Sequence, residues 1–182
     1  IINSLKIGQL EIKDFKFVIS NEFEISETQI GSEVFGVLGY DFLKNICLSF
    51  NFRKNRLTIF KPVEKIKAQK SFVEIDFKSL NPNDPQIIVP SSINDSGPYE
   101  FALNMKNPTT FLTNDLAQNL NIPITPPVYE KETNNLLKMS SGIVDSIALK
   151  SAKVNNLAII IGLVENLIPE VEPNLGGIIG YN

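Results

Sequence analysis

A chain of 182 residues is long enough for one large domain or two small ones, and its 43% hydrophobic content, with twelve Phe, excludes a disordered polymer. The net charge of −3, with Lys scattered among Asp and Glu, leaves no basic stripe to track a phosphate backbone, so nucleic acid is not an expected partner. With no His the chain lacks the commonest general base and metal ligand, which excludes Ser-His-Asp chemistry and zinc hydrolysis and leaves no metal or cofactor expected.

In chain order, Leu5-Lys6-Ile7, Leu10-Glu11-Ile12 and Phe15-Lys16-Phe17-Val18-Ile19 alternate with period two or run apolar, which predicts strands. Residue 1 is Ile and no basic-then-apolar leader follows it, so a segment upstream is expected. Asp41 is placed to cap a short helix over Phe42-Leu43-Lys44. Residues 46–50 and 56–60 read as a hairpin closed by the polar turn 52–56. The single cysteine, Cys47, lies in the apolar run Ile46-Cys47-Leu48 and excludes a disulfide within the chain. Residues 61–70 are lysine-rich, carry Pro62 near their head and read as a linker.

Further strands are predicted at 72–77, 87–89, 99–103, 146–149 and 157–161, and Thr113 or Asn114 can cap a helix over 115–120. The longest apolar run, residues 157–161, is strand-sized and far short of the roughly 18–20 residues of a membrane span. Pro126-Pro127 reads as a stiff connector, and the acidic residues between Glu165 and Glu172 as a solvated loop. The whole predicts a mainly β protein with short helices.

The chain repeats itself. Gly36-Val37-Leu38-Gly39-Tyr40-Asp41 matches Gly177-Ile178-Ile179-Gly180-Tyr181-Asn182 at an offset of 141 residues, and residues 10–19 match residues 152–161 at an offset of 142. Two matches in the same order, one loop residue apart, point to a tandem duplication. The predicted organisation is residues 1–61 as the C-terminal half of a first copy, 62–70 as linker, and 71–182 as a second copy lacking its tail.

Residues 35–43, followed by a strand, a polar turn and Arg56-Leu57-Thr58-Ile59-Phe60, resemble the C-terminal half of retropepsin-like aspartic peptidases, the single-lobe relatives of pepsin. Residues 97–103 resemble the strand that enters that family's catalytic loop, and residues 110–122 the strand and helix that leave it. The resemblance implies an acid-protease β-barrel fold in a bacterial tandem-domain protein, placed in the envelope or exterior of a bacterium.

It also implies that the family's Asp-Thr-Gly motif falls on Asn104-Met105-Lys106, where all three residues differ. The family chemistry needs two carboxylates about 3 Å apart that share one proton. An Asn amide has no such proton equilibrium and can only hold a water. The second copy is therefore expected to be catalytically dead.

Asp95-Ser96-Gly97 spells a permitted variant of the motif, yet polar residues precede it and Pro98 follows, which is hairpin-turn chemistry. The resemblance places the family's substrate-covering flap at Met139, Ser140, Ser141 and Gly142, which with Asn104, Met105 and Lys106 form the expected peptide-binding set. An ordinary loop is the competing reading there. Asp41 and Asn182, each after a Gly-Tyr pair, are read as helix caps.

Three functions are open at this point. The chain binds extended peptide or protein by strand addition without cutting it; or it is an active endopeptidase whose aspartate lies upstream of residue 1 or is supplied by a homodimer; or it is a scaffold. Pairing of two copies, within one chain or between chains, is the partner arrangement the resemblance implies.

Overall fold

The computed structural model describes residues 2–16, 18, 36–60, 73–79, 86–125, 139–162 and 175–182. These residues pack as two units, Ile1–Leu43 and Lys44–Asn182. The linker, Pro126-Pro127 and the acidic segment lie outside the described residues.

In the first unit, β1 (Ile2–Ile7) and β2 (Leu10–Phe15) form an antiparallel hairpin, followed by the short helix α1 (Tyr40–Leu43). Strand β2 ends at Phe15; Lys16 and Val18 lie outside it, and Phe17 and Ile19 outside the described residues. In the second unit, β3 (Cys47–Asn51) and β4 (Arg56–Phe60) form a separate hairpin through a 3-10 turn, Phe52–Lys54. Asn51 caps that turn and Asn55 closes it in the left-handed conformation.

The remaining strands are β5 (Lys78–Ser79), β6 (Ile87–Ile93), β7 (Ser96–Leu103), β8 (Thr110–Thr113), β9 (Ser140–Leu149), β10 (Ala152–Gly162) and β11 (Gly177–Ile179), with α2 (Asn114–Asn119) after β8. The strand predicted at 72–77 is displaced: residues 73–77 are not in a strand, and pairing begins at Lys78. Apolar alternation identified an extended segment there but could not say where it meets a partner.

The sheet order is β5-β6-β7-β11-β8-β10-β9, and β9 pairs again with β6 through Ser92 opposite Ala148 and Ile93 opposite Ile147. Six strands, β6 to β11, thus close into a barrel with β5 appended at the edge of β6. Closure removes the unpaired edges that an open sheet exposes. The fold class is the expected mainly β barrel with short helices.

Period-two alternation produces two apolar layers. On the inner side, Val89, Phe101, Leu112, Ile159 and Ile161 meet Ile93, Val144 and Ile147 and, from α2, Leu116 and Ala117. On the outer side, Ile88, Ala102, Ile178, Phe111 and Ile160 form one row across five strands, each directly opposite the next in the strand register. Strands buried on both faces read as continuous apolar runs, which is why Ile159-Ile160-Ile161 shows no alternation. Each fully buried aliphatic or aromatic side chain contributes roughly 1.5–3 kcal/mol, so these two layers hold the barrel. Helix α2 starts where Thr113 Oγ1 accepts the Leu116 N–H at 3.3 Å, which selects Thr113 rather than Asn114 as its cap.

Positions 142 residues apart share backbone detail as well as sequence. Gly8 and Lys150, 142 residues apart, both have positive φ at the tips of hairpins β1–β2 and β9–β10. Asp14 and Asn156, also 142 apart, are left-handed at 54° and 53° within strands β2 and β10. In both hairpins the ladder passes the position opposite that residue, Asn3 and Asp145, without pairing it. A left-handed residue inside a strand is uncommon for any side chain, and Asp and Asn tolerate it best.

Candidate functional site

The barrel brings the turn after β7 against the end of the chain. Strand β11 sits between β7, which it meets in parallel, and β8, which it meets antiparallel. Residues 104–109, which connect β7 to β8, therefore span the end of β11. The Asn104 N–H donates to the Ile179 carbonyl at 3.0 Å, the Asn107 N–H to the Asn104 carbonyl at 3.2 Å, and the Tyr181 N–H to the Asn107 carbonyl at 3.1 Å. Buried Thr110 completes the frame, its hydroxyl donating to Asn182 Oδ1 at 2.8 Å and accepting the Gly180 N–H at 3.2 Å. Asn182 Nδ2 in turn donates to the Ala158 carbonyl at 3.0 Å.

Glycines make this close approach feasible. A Cβ on Gly177 would lie 2.1 Å from the Phe111 carbonyl oxygen and 2.8 Å from the Phe101 ring, and one on Gly180 would lie 2.5 Å from the Thr109 and 2.6 Å from the Asn107 carbonyl oxygens. Neither glycine has a positive φ, so the requirement is space rather than conformation. Tyr181 extends the site outward: its ring stacks on Phe52 at 5.9 Å between centroids, and Phe52 stacks on Phe50 at 6.1 Å.

Asn104, half-buried at the entrance of the turn, directs its side chain into local structure, Oδ1 accepting the Lys106 N–H at 2.9 Å. This Asx-type bond closes the turn. Met105, 47% exposed, and Lys106, also exposed, form its outer corner. No carboxylate among the described residues forms a hydrogen bond or ion pair with this turn. The Asn104 amide donates and accepts hydrogen bonds but has no proton equilibrium near neutral pH.

The other predicted residues lie elsewhere. Asn94 and Asp95 are both left-handed and occupy a two-residue turn closed by Ile93 opposite Ser96. The Asp95 side chain, 80% exposed, pairs with Lys153 Nζ at 2.7 Å. It is a surface turn residue, as its neighbours in the sequence imply. Asn94 Oδ1 accepts the Ser146 N–H at 3.1 Å, which ties this turn to β9.

Ser140, Ser141 and Gly142 are in the ladder rather than at a hairpin tip, and Met139 directly precedes that strand; the tip between β9 and β10 is Lys150 and Ser151. Ser140, Ser141 and Gly142 lie opposite Ile161, Ile160 and Ile159, and Gly142 bridges to Ile124. Thr125 binds Ser141 through its N–H at 2.9 Å and its hydroxyl. Gly142 has a packing reason of its own, since a Cβ would lie 2.9 Å from the Pro123 carbonyl oxygen. No hydrogen bond among the described residues joins this segment to Asn104, Met105 or Lys106.

Neither expected cap is one: Asp41 lies inside α1, its Oδ1 accepting the Phe42 N–H at 2.9 Å while the Gly39 carbonyl accepts the first helical N–H groups, and Asn182 links Thr110 to Ala158. The Thr110–Asn182 pair, across 72 residues, had no local signal in the sequence.

No family model matches the chain, and no curated protein matches it. Among solved structures, it is similar to a retropepsin-like aspartic protease from Rickettsia conorii, with 13% identity over 60% of this chain and 81% of that one and a TM-score of 0.39. It is also similar to the EIAV protease complexed with the inhibitor HBY-793, with 17% identity over 53% of this chain and 80% of that one and a TM-score of 0.36.

Proposed function

We propose that the chain is a duplicated, aspartic-peptidase-like β-barrel protein whose second copy has lost its catalytic acid and which binds extended polypeptide without cutting it. The observation that carries this reading is Asn104: a neutral amide, bonded to the Lys106 N–H, at the turn between the two strands that flank β11. The sequence motif and the turn's position argue for the ancestry, and the missing proton equilibrium argues against hydrolysis. The matched left-handed residues in β2 and β10 support the duplication.

The test incubates the chain with an unstructured protein substrate from acidic to neutral pH, with and without pepstatin, alongside the Asn104→Asp and Asn104→Ala variants. All three are expected to show no turnover, since one carboxylate restored without a partner cannot share a proton, while fluorescence anisotropy reports saturable binding of an extended peptide. Pepstatin-sensitive turnover by the unmodified chain overturns the reading. If that turnover survives Asn104→Ala and rises with the square of chain concentration, the acid comes from a homodimer.

A further inference from the structure

Cationic charge is concentrated in one stretch of the chain. Residues 42–63 hold five Lys and Arg and no Asp or Glu, although the whole chain carries a net charge of −3. Three of the five, Arg53, Lys54 and Arg56, are exposed in and beside the 3-10 turn that closes hairpin β3–β4. None of these three forms an ion pair among the described residues.

The same turn carries apolar surface. The rings of Phe50, Phe52 and Tyr181 stack in a row with planes 13° and 17° apart, and Leu57 lies directly across the ladder from Phe50. All four are exposed, Phe52 at 56% and Leu57 at 52%. Directly opposed residues of an antiparallel ladder share a face, and successive residues alternate. Phe50 and Leu57 are therefore on one face of the hairpin, and Asn51 and Arg56 on the other. Charge thus sits at the end of the hairpin and on the face away from the rings, a distribution that lines no single groove.

We propose that the β3–β4 turn is a contact site for an anionic lipid surface, with Phe50, Phe52 and Leu57 entering the headgroup region and Arg53, Lys54 and Arg56 meeting lipid phosphates. Aromatic and aliphatic side chains interleaved with Lys and Arg are the pattern of interfacial membrane contact. Each cation near an anionic leaflet adds attraction that falls off within a Debye length of about 10 Å at moderate salt, which also screens the acidic remainder of the chain. Strands β3 and β4 have five residues each, short of the roughly 9–11 a strand needs to cross a bilayer, so the contact is with the surface. A polypeptide lying on the ring face would leave Arg56 behind it, whereas a charged plane meeting the turn end-on engages both sides.

The chain contains no Trp, so Phe52→Trp places a single fluorescent reporter at the turn. Added to vesicles of phosphatidylcholine with about a third phosphatidylglycerol, this variant is expected to shift its emission to the blue and to bind at least about tenfold more strongly than to phosphatidylcholine alone. Sedimentation of the unmodified chain with the same vesicles is expected to show the same preference. Arg53→Ser, Lys54→Ser and Arg56→Ser combined are expected to weaken binding at least about tenfold, with the urea midpoint unchanged because the three side chains are exposed and unpaired among the described residues. Phe52→Ser is expected to weaken it at least about tenfold as well. Lys13→Ser with Lys16→Ser, which removes exposed cations elsewhere, is expected to leave binding unchanged.

Absence of binding, equal binding to both kinds of vesicle, or indifference to the three combined substitutions overturns the proposal. So does emission of the Phe52→Trp variant that is already blue before lipid is added: unchanged by dilution, it means that a segment of the same chain covers the turn, and growing with concentration, that a second copy does. A blue shift produced by an acidic peptide in solution and not by vesicles would assign the surface to a polypeptide, and loss of vesicle binding to inorganic phosphate at fixed ionic strength would mark a single-anion site; each overturns it too. Turnover in the peptidase assay would sink the proposed function and leave the lipid contact standing.

Discussion

Gly177 and Gly36 occupy matched places in the two sequence repeats, and one methyl group distinguishes their surroundings. At Gly177 that methyl would overlap the Phe111 carbonyl oxygen at 2.1 Å, a backbone atom held by the β8–β11 ladder that cannot swing aside. Gly177→Ala and Gly180→Ala are expected to destabilise the barrel by about 1–3 kcal/mol, the range for overpacking a filled interior. Gly36→Ala and Gly39→Ala are expected to stay within about 0.5 kcal/mol. Urea unfolding of the four variants measures the contrast, and equal losses at both pairs would mean that residues 36–39 are packed as tightly as residues 177–180. Asp95 illustrates the reverse lesson: its acid matches the motif by spelling, yet two consecutive left-handed residues place it on a solvent-facing turn beside Lys153.

Hairpins β1–β2 and β9–β10 carry their signature in the backbone. A left-handed residue within a strand penalises β-branched side chains, so valine, a good strand former elsewhere, becomes unfavourable there. Asn156→Val is expected to cost about 1–2 kcal/mol, whereas Asn155→Val beside it stays within about 0.5 kcal/mol. In the first unit Asp14→Val is expected to lower amide protection across β1–β2 while Lys13→Val does not. Finding Asn156→Val harmless would remove the backbone argument for duplication. At helix α2, Thr113→Ala is expected to cost about 1 kcal/mol in a thermal or urea melt, through the orphaned Leu116 N–H.

Across the molecule, stability follows closure. Strands β6 to β11 share a continuous hydrogen-bonded ring with packed layers on both sides, whereas β1–β2 and β3–β4 are two-stranded hairpins. A two-stranded sheet is marginal by itself. Native-state hydrogen exchange is therefore expected to show the central amides of β7, β8 and β10 exchanging slowest, near the global limit. The amides of both hairpins are expected to exchange at least about tenfold faster. Uniform protection of hairpins and barrel would contradict this ranking.

The residues alone determined the class, the strand-rich grammar, the Asn94-Asp95 turn, the helix after β8 and the internal match, because each depends on neighbours within a few positions or on direct comparison of two stretches. They also located Asn104 as the position to inspect. Tertiary structure decided what local patterns cannot encode: that β6 and β9 close the ring, that Ser140, Ser141 and Gly142 lie in the β9 ladder with Gly142 bridged to Ile124 and Ser141 bonded to Thr125, and that Asn182 binds Thr110. These contacts join residues far apart in the chain. Only the packed barrel separates a glycine under pressure at 177 from one with open space at 36, since whether a Cβ fits depends on strands brought from elsewhere.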